Sequence, residues 1–441
     1  MRCAILSVLL LTACTSGGIV ETTDRVPGTP ADTTRTPTVQ RATINVRVSV
    51  DPADAAIAQQ AGISVGGLAI RLTSQRPGDP VRTAVTAADG TTRFDNLLEG
   101  VYQASVERRL TAAEVARLPA GDRDASVFAG SGQVILTPPT AGTVQMELVG
   151  ARRGSVVISE IFGNYGPIST PPPNYVFGSY LEVYNNSDTT AYLDGMLLIR
   201  TPLWNTASSI SGPCDTPDKL LRLDSTAVYA ASSVVAFPGT GREYAIRPGE
   251  ALVMAMDAID HRAAAPDKEQ VDLSKAHFEQ FWSDADTDNP FAANMVRLLG
   301  NSGTVFGRGL PYFGGAQHVL LSRDAWAVRR EVLITNCSAF GCVPATALRF
   351  PSQHILDLWA LESHNSEPGW AVAQVNFPRC VPWTSPAYDR APAELGASTL
   401  PVAVRRRTVG FTADGRAILQ RTKNSARDLE HAVPLQRSLA K

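Results

Sequence analysis

The sequence predicts an all-β protein made of two successive β-sandwich domains, the second carrying short helical insertions. Three observations predict this. Apolar runs of strand length recur along the chain, several with strict alternation of apolar and polar residues. Clusters of Gly, Pro, Asn and Asp separate them. Helical patterns stay short. The strand signal is densest from Gly154 to about Arg200. Ser155 to Phe162 and Met196 to Ile199 read as strands buried on both faces. Tyr180 to Tyr184 is a further strand, and Asn185-Asn186-Ser187-Asp188 is a polar turn.

The chain has 441 residues, 44% of them hydrophobic, enough for two or three domains. A formal net charge of −2 speaks against a general nucleic-acid binder. Arg405-Arg406-Arg407 is the strongest basic cluster, and it reads as a solvated strand edge, with phosphate or lipid contact as the alternative.

Arg2 followed by the short apolar run Ala4 to Leu11 has the form of a signal peptide, too short to span a bilayer. It ends in Leu11-Thr12-Ala13-Cys14, which resembles the lipobox of bacterial lipoproteins. The resemblance implies cleavage after residue 13 and lipidation of Cys14, so that acyl chains hold the protein to a membrane. Thr15, in place of an acidic residue, points to the outer membrane or cell surface. Residues 14–41 are rich in Thr, Pro, Gly and Asp and poor in large apolar residues, as a flexible tether would be.

The first domain is expected over residues 42–150. Ile44, Val46, Val48 and Val50 alternate with polar residues as in a half-buried strand, and Leu68 to Leu72 is a second strand. Ala88-Asp89-Gly90 reads as a hairpin-type turn. Thr111 with Glu114 predicts a capped helical turn. Gln133 to Leu136 and Val144, Met146, Leu148 complete about seven strands. The order of apolar strand, Asp-Gly turn, Phe94-Asp95-Asn96-Leu97-Leu98-Glu99-Gly100-Val101-Tyr102 and strand resembles the transthyretin-like, carboxypeptidase-regulatory domains. That implies a Greek-key sandwich serving as spacer or docking surface.

Residues 154–441 form the second expected domain. Ile158-Ser159-Glu160-Ile161, Leu181 to Asn185, Leu193-Asp194-Gly195 and the turn Arg247-Pro248-Gly249-Glu250 resemble the lamin-tail domain, an immunoglobulin-like sandwich. Leu273 to Glu279, Asp286 to Pro290, Ile355-Leu356-Asp357 and Thr422 to Asp428 extend the likeness to uncharacterised bacterial surface lipoproteins with a lamin-tail-like core. Where that pattern has aspartates, this chain has His277, Arg421 and Lys423, which weakens any metal site borrowed from it. Leu273 to Trp282 and Ser352 to Leu361 are expected as short helices, and Val404 to Leu419 as a closing hairpin turning at Asp414-Gly415.

Several residues are candidates for chemistry. Glu160 and Glu182 sit in neighbouring motif strands and could face each other as an acid–base pair; carboxylates at such positions more often hold turns. Asp284, Asp286 and Asp288 alternate as in the start of a calcium loop. Asn289 stands where that loop needs Gly, and Met295 where it needs Glu, so strong calcium binding is not expected. The six histidines have no metal-protease spacing, and the main hydrolase and nucleotide-binding motifs are missing. Trp370 and Trp383 lie in Pro-containing stretches and could stack on sugars or a partner, although core packing is the commoner fate of such residues. No cofactor is expected.

With Cys3 removed and Cys14 lipidated, Cys214, Cys337, Cys342 and Cys380 remain, an even number in a compartment that permits disulfides. Three pairings are open. Gly341 inside the short Cys337–Cys342 interval favours 337–342, leaving 214–380. The reading that follows is a non-enzymatic surface lipoprotein, a binding or accessory module for nutrient uptake, with an outer-membrane protein or carbohydrate as partner. An extracytoplasmic hydrolase and a structural adhesion protein are the alternatives.

Overall fold

The structure is a computed structural model that describes residues 40–119, 122–123, 125–163, 178–202, 225–230, 233–264, 271–280, 288–299, 316–338, 341–363, 385, 387–395 and 402–433. The protein is all-β. Seven strands build the first sandwich: β1 (Ala42–Val50), β2 (Ala69–Ser74), β3 (Arg82–Val85), β4 (Thr91–Leu97), β5 (Gly100–Arg109), β6 (Val127–Leu136) and β7 (Gly142–Ala151). One layer is β4-β1-β7 and the other β3-β2-β5-β6, joined where β6 meets β7. The alternation in β1 turns Ile44, Val46 and Val48 inward against Ile70, Leu72, Ala104 and Val106. Two helices join these strands, α1 (Ala55–Ala61) after β1 and α2 (Ala112–Arg117) after β5, and α2 starts at the expected capping box of Thr111 and Glu114.

The Ala88-Asp89-Gly90 turn also forms. Gly90 has φ 81°, and a Cβ there would lie 2.4 Å from the Val48 carbonyl, so the turn needs glycine. It does not close a two-stranded ladder, because β3 bonds to β2 and β4 bonds to β1. It carries the chain from one layer to the other.

The second part of the chain contains β8 (Val156–Gly163), β9 (Tyr180–Asn185), β10 (Ala191–Tyr192), β11 (Leu197–Pro202), β12 (Ala227–Ala230), β13 (Ser233–Ala236) and β14 (Ala245–Ile246). There follow β15 (Ala251–Ala255), β16 (Phe278–Glu279), β17 (Ala293–Asn294), β18 (Val296–Leu299), β19 (Ala316–Leu321), β20 (Arg330–Ser338) and β21 (Gly341–Pro351). The last are β22 (Ile355–Ser363), β23 (Ala393–Leu395), β24 (Val402–Arg406), β25 (Thr408–Phe411), β26 (Ala417–Leu419) and β27 (Leu429–Ala432). Two sheets face each other, β17-β16-β15-β9-β8-β24-β27 and β18-β13-β11-β19-β22-β23. Ile158, Leu181, Leu198, Leu320, Trp359 and Val404 fill the space between them. A third sheet, β12-β21-β20, packs on the far side of the second through Leu348 and Phe350.

Two expected helices are strands or turns instead. Phe278–Glu279 is β16, paired in parallel with Met254 and Ala255, while Trp282 lies outside the described residues. Ser352–His354 is a single 3-10 turn, after which β22 begins. Asp357, Trp359 and Leu361 all point into the main core, the period of a strand. Ile355, Leu358 and Trp359 fall on helical spacing in the sequence because both faces of β22 are covered. Leu358 packs under the third sheet and Trp359 in the main core. The closing hairpin is shorter than expected: it is β25–β26, with Gly415 at φ 85°, whereas Val404 belongs to the large sheet.

The basic triplet is also not a solvated edge. Successive residues of β24 point to alternate faces, so Arg406 turns inward with Val404 while Arg405 turns out; the strand ends there and Arg407 is exposed. Arg405 and Arg407 pair with Glu430 at 3.3 and 3.2 Å. Arg406 is 1% exposed. Its guanidinium donates to Asp357 at 2.7 Å, to Asp428 at 3.3 Å, and to the carbonyls of Ile158 and Gln420 at 3.1 and 2.8 Å. It also lies over the Trp359 ring, 5.5 Å from its centre. Asp357 accepts in addition from the Ile158 amide at 2.9 Å, which fixes β22 against β8.

The two sandwiches meet over Val127, Ala129 and Ala151 on one side and Val409 and Ile418 on the other. Ion pairs surround this apolar contact. Arg153 reaches Glu107 and Asp188, both at 2.6 Å, and Asp188 also binds Arg109 and Arg416 at 2.8 and 3.0 Å. Asp122 takes Arg152 and Arg390 at 3.2 and 2.8 Å. Arg427 crosses to Asp51 and Asp54, each at 2.6 Å. Everything from Arg41 onward groups as one unit.

Replacing Arg406 by Met should leave two buried carboxylates without their shared cation and lower stability by about 3–5 kcal/mol. Urea unfolding of the soluble protein measures this. A midpoint equal to that of the wild type would show that the pairing contributes nothing.

Candidate functional site

The two strands that carry Glu160 and Glu182 pair so that these residues stand directly opposite each other. The register shift between Ile158 and Glu160 produces this, since Ser159 is the extra residue of a bulge. Directly opposed strand residues share a face and are about 4.5–5.5 Å apart. The face is the outer one of the large sheet, which also carries Phe162 and Tyr180, stacked at 5.5 Å. On the next strand Arg405 stands opposite Glu160, and on the far side Val253 stands opposite Glu182. The Val253 amide donates to His277 Nδ1 at 3.2 Å. The carboxylate pair expected from sequence therefore exists in space.

Both carboxylates are 1% exposed, and both hold neighbouring hydroxyls. The Tyr180 hydroxyl donates to Glu160, and the Ser159 hydroxyl donates to Glu182 at 2.7 Å. Covered groups bound in this way brace a sheet. Burial holds the His277 imidazole below its ordinary range, partly offset by the charge of Glu250, so it is neutral at pH 7. Among the described residues, no group of three His, Cys, Asp or Glu side chains is placed to hold a metal ion.

Other motif carboxylates hold backbone. Asp194 accepts from the amides of Gly241, Glu243 and Tyr244 at 3.2, 2.8 and 3.0 Å. Burial opposes its charge, and those amides keep its carboxyl below the usual range. Glu279 accepts from Asn289 and Ala258 at 2.8 and 3.1 Å, fastening those two residues to β16. Burial raises its carboxyl, and the neighbouring Asp288 contributes. Of the calcium candidates, Asp288 takes a hydrogen bond from Asn294 at 2.9 Å. Asp284 and Asp286 lie outside the described residues, as do Trp370, Trp383, Cys14, Cys214 and Cys380.

The Thr422 to Asp428 motif is a cap and a clamp. Asn424 caps the turn Ser425–Asp428 by accepting from the Arg427 amide. Asp428 accepts from the Thr422 amide and hydroxyl at 2.8 and 2.7 Å, while Arg427 leaves for the first sandwich. Lys423 takes a positive φ of 58° and its carbonyl accepts from Arg390 at 2.8 Å. Sequence reasoning missed Asp389, which accepts from the amides of Ser425 and Ala391 at 3.0 and 3.1 Å and from the Ser425 hydroxyl. That hydroxyl in turn accepts from the Ala360 amide at 2.9 Å, so Asp389 holds the clamp to β22. Its signal in sequence was only an Asp two residues before Ala391, a pattern common to many turns.

Burial pushes the Asp389 carboxyl up to about 7, against the Ser425 and Ala391 hydrogen bonds and with help from Asp428. Its ordinary value is 3.8, so the folded protein binds this proton more tightly than the unfolded chain does. The associated stability is fully present below about pH 4 and is lost as pH rises to about 7. At about 1.4 kcal/mol per pH unit the loss reaches about 4 kcal/mol at most. Asp389→Asn should therefore flatten the fall in stability between those pH values. Urea unfolding of both proteins across that range measures it, and parallel curves would refute the assignment.

Residues 247–435 match a protein family described as "Protein of unknown function (DUF4876)". No curated protein matches the chain. Among solved structures, the chain is similar to a DUF4876 family protein from Bacteroides thetaiotaomicron VPI-5482, at 17% identity and a TM-score of 0.47, over 90% of this chain and 97% of that one. It is also matched to a candidate cell adhesion protein from Bacteroides eggerthii DSM 20697, at 10% identity and a TM-score of 0.18, over 72% and 83% of the two chains. Over the span that holds Asp357, Asp389, Arg406 and Asp428, this chain is thus similar to the DUF4876 proteins.

Proposed function

We propose that the chain is a lipid-anchored surface protein that binds a partner and catalyses no reaction. One observation carries this reading: where the strands begin and end. β1 enters at Ala42, and its other end, about 30 Å away at nine residues of strand, leads to Asp51 and Asp54 beside the second sandwich. The chain therefore arrives at the side of the first sandwich remote from the second. In the second sandwich, Gly163 of β8 lies opposite Val402, and Phe162 lies opposite Tyr180. Pro202 and Leu361 both lie opposite Ala316. These strand ends share one pole, because Asp357 beside Ile158 and Leu356 beside Ser155 make β8 and β22 run the same way. The opposite pole, with Asp188 and β25–β26, rests on the first sandwich.

A tether running from Cys14 would then leave the far pole of the second sandwich outermost. The partner is an outer-membrane protein or a surface carbohydrate, and the stacking role read for Trp370 and Trp383 belongs to the same proposal. No helix among the described residues is long and apolar enough to cross a membrane, so attachment through Cys14 is the route this reading uses. Nutrient uptake is the process in which such an accessory module would serve.

A second reading, an extracytoplasmic hydrolase, draws on the direct opposition of Glu160 and Glu182. Their burial counts against it. Turnover of any ester, peptide or glycoside substrate that disappears in Glu160→Gln would replace the binding reading with this one.

Cys14→Ala should leave an uncut precursor or release the protein from the membrane fraction. A variant that matures and fractionates like wild type would remove the lipid anchor from the proposal. Cross-linking of the full chain in intact membranes, followed by capture, should return one recurring partner protein or glycan. Capture of nothing above the background of an unrelated lipoprotein would count against the binding role.

A further inference from the structure

The β20–β21 ladder holds nine register pairs without a shift, from Arg330 opposite Arg349 to Ser338 opposite Gly341. Its base is built into the body. β12 pairs with β21 from Leu348 to Pro351, and Leu348 and Phe350 enter the core beneath the third sheet. Further out, Thr346 is exposed, and Leu333 opposite it is 81% exposed. A two-stranded arm of this kind is marginally stable in water by itself.

The register locates a fastening. Two residues separate Ser338 from Gly341, so these close the arm as a hydrogen-bonded pair. Along an antiparallel ladder hydrogen-bonded and non-hydrogen-bonded pairs alternate. Cys337 and Cys342, the next pair, therefore stand directly opposite at a non-hydrogen-bonded position. Their Cα atoms are about 4.5 Å apart there, inside the range of about 4.4–6.8 Å that a disulfide spans. The same alternation puts Pro344, opposite Thr335, at a non-hydrogen-bonded position, where a missing N–H costs this ladder nothing. The proline and the cysteines thus agree on one phase of the ladder.

We propose that Cys337 and Cys342 form a cross-strand disulfide that staples the outer end of this arm. The two thiols lose their protons and give two electrons to a disulfide-bearing oxidant, oxidised glutathione or a thiol oxidoreductase. One S–S bond forms in the arm, and the oxidant's S–S bond breaks to two thiols. The staple holds the register of β20 on β21 and prevents the end from fraying.

The test uses the full chain, equilibrated in oxidised and in reduced glutathione buffers and digested with trypsin. Arg330 and Arg349 bound one peptide that contains both cysteines and no other Lys or Arg. In the oxidised sample that peptide should be two hydrogens lighter and resist alkylation until it is reduced. Free thiols under oxidising conditions, or either cysteine joined to Cys214 or Cys380, would overturn the proposal. On reduction, the amides of β20 should exchange about tenfold faster while those of β8 and β9 do not change. Cys337→Ser should show the fast rate in both buffers. Equal rates for wild type in the two buffers would mean that no staple holds the arm. Because the buffer sets the redox state, the result does not depend on where the cell places the protein.

Discussion

Arg406 is the fixed point of the second sandwich. Its guanidinium lies between two carboxylates and two carbonyls that belong to four separate segments, β22, the Ser425–Asp428 turn, β8 and Gln420 just after β26. A single buried cation can hold its charge in a core only if its partners arrive together. Each partner therefore depends on the others being in place. Asp357 is held by Ile158 and Arg421 as well as Arg406, and Asp428 by Thr422. Such a network contributes less net stability than its hydrogen bonds suggest, since three charges are taken out of water. Its effect is positional: it sets where β22 lies against β8 and where the final turn lies against both.

The docking of the two sandwiches follows from that placement. Ser425 and Arg427 are neighbours of Asp428 in one helical turn. Once Asp428 is held by Arg406, Arg427 faces Asp51 and Asp54 of the first sandwich, and Ser425 meets Asp389 and Ala360. The motif from Thr422 to Asp428 thus serves the architecture. The same holds for Asp194 and Glu279, whose carboxylates are filled by backbone amides. Residues whose oxygens are already occupied are poor candidates for chemistry.

The all-β class, most strands of the first sandwich (β3 excepted), the α2 capping box and the Pro248-Gly249 turn were legible in the sequence. Each rests on interactions between residues close in the chain, so alternation, capping and turn chemistry are visible locally. The opposition of Glu160 and Glu182 was legible as a possibility, and the bulge at Ser159 was what completed it. β22 was misread because a strand covered on both faces shows no alternation, and its apolar residues fell by chance on helical spacing.

What the sequence determined by itself was therefore periodicity: which segments extend, where they turn, and that nothing among the common catalytic motifs is present. What only the tertiary structure decided was the partnership of charges. Arg406 lies 49 residues from Asp357 and 22 from Asp428, and Arg427 lies 373 from Asp54. An arginine in a basic triplet looks like surface until the strand's neighbours show that one of the three turns inward. Burial and pairing are properties of packed neighbours, and sequence order does not encode them, because the chain must return several times before those neighbours exist.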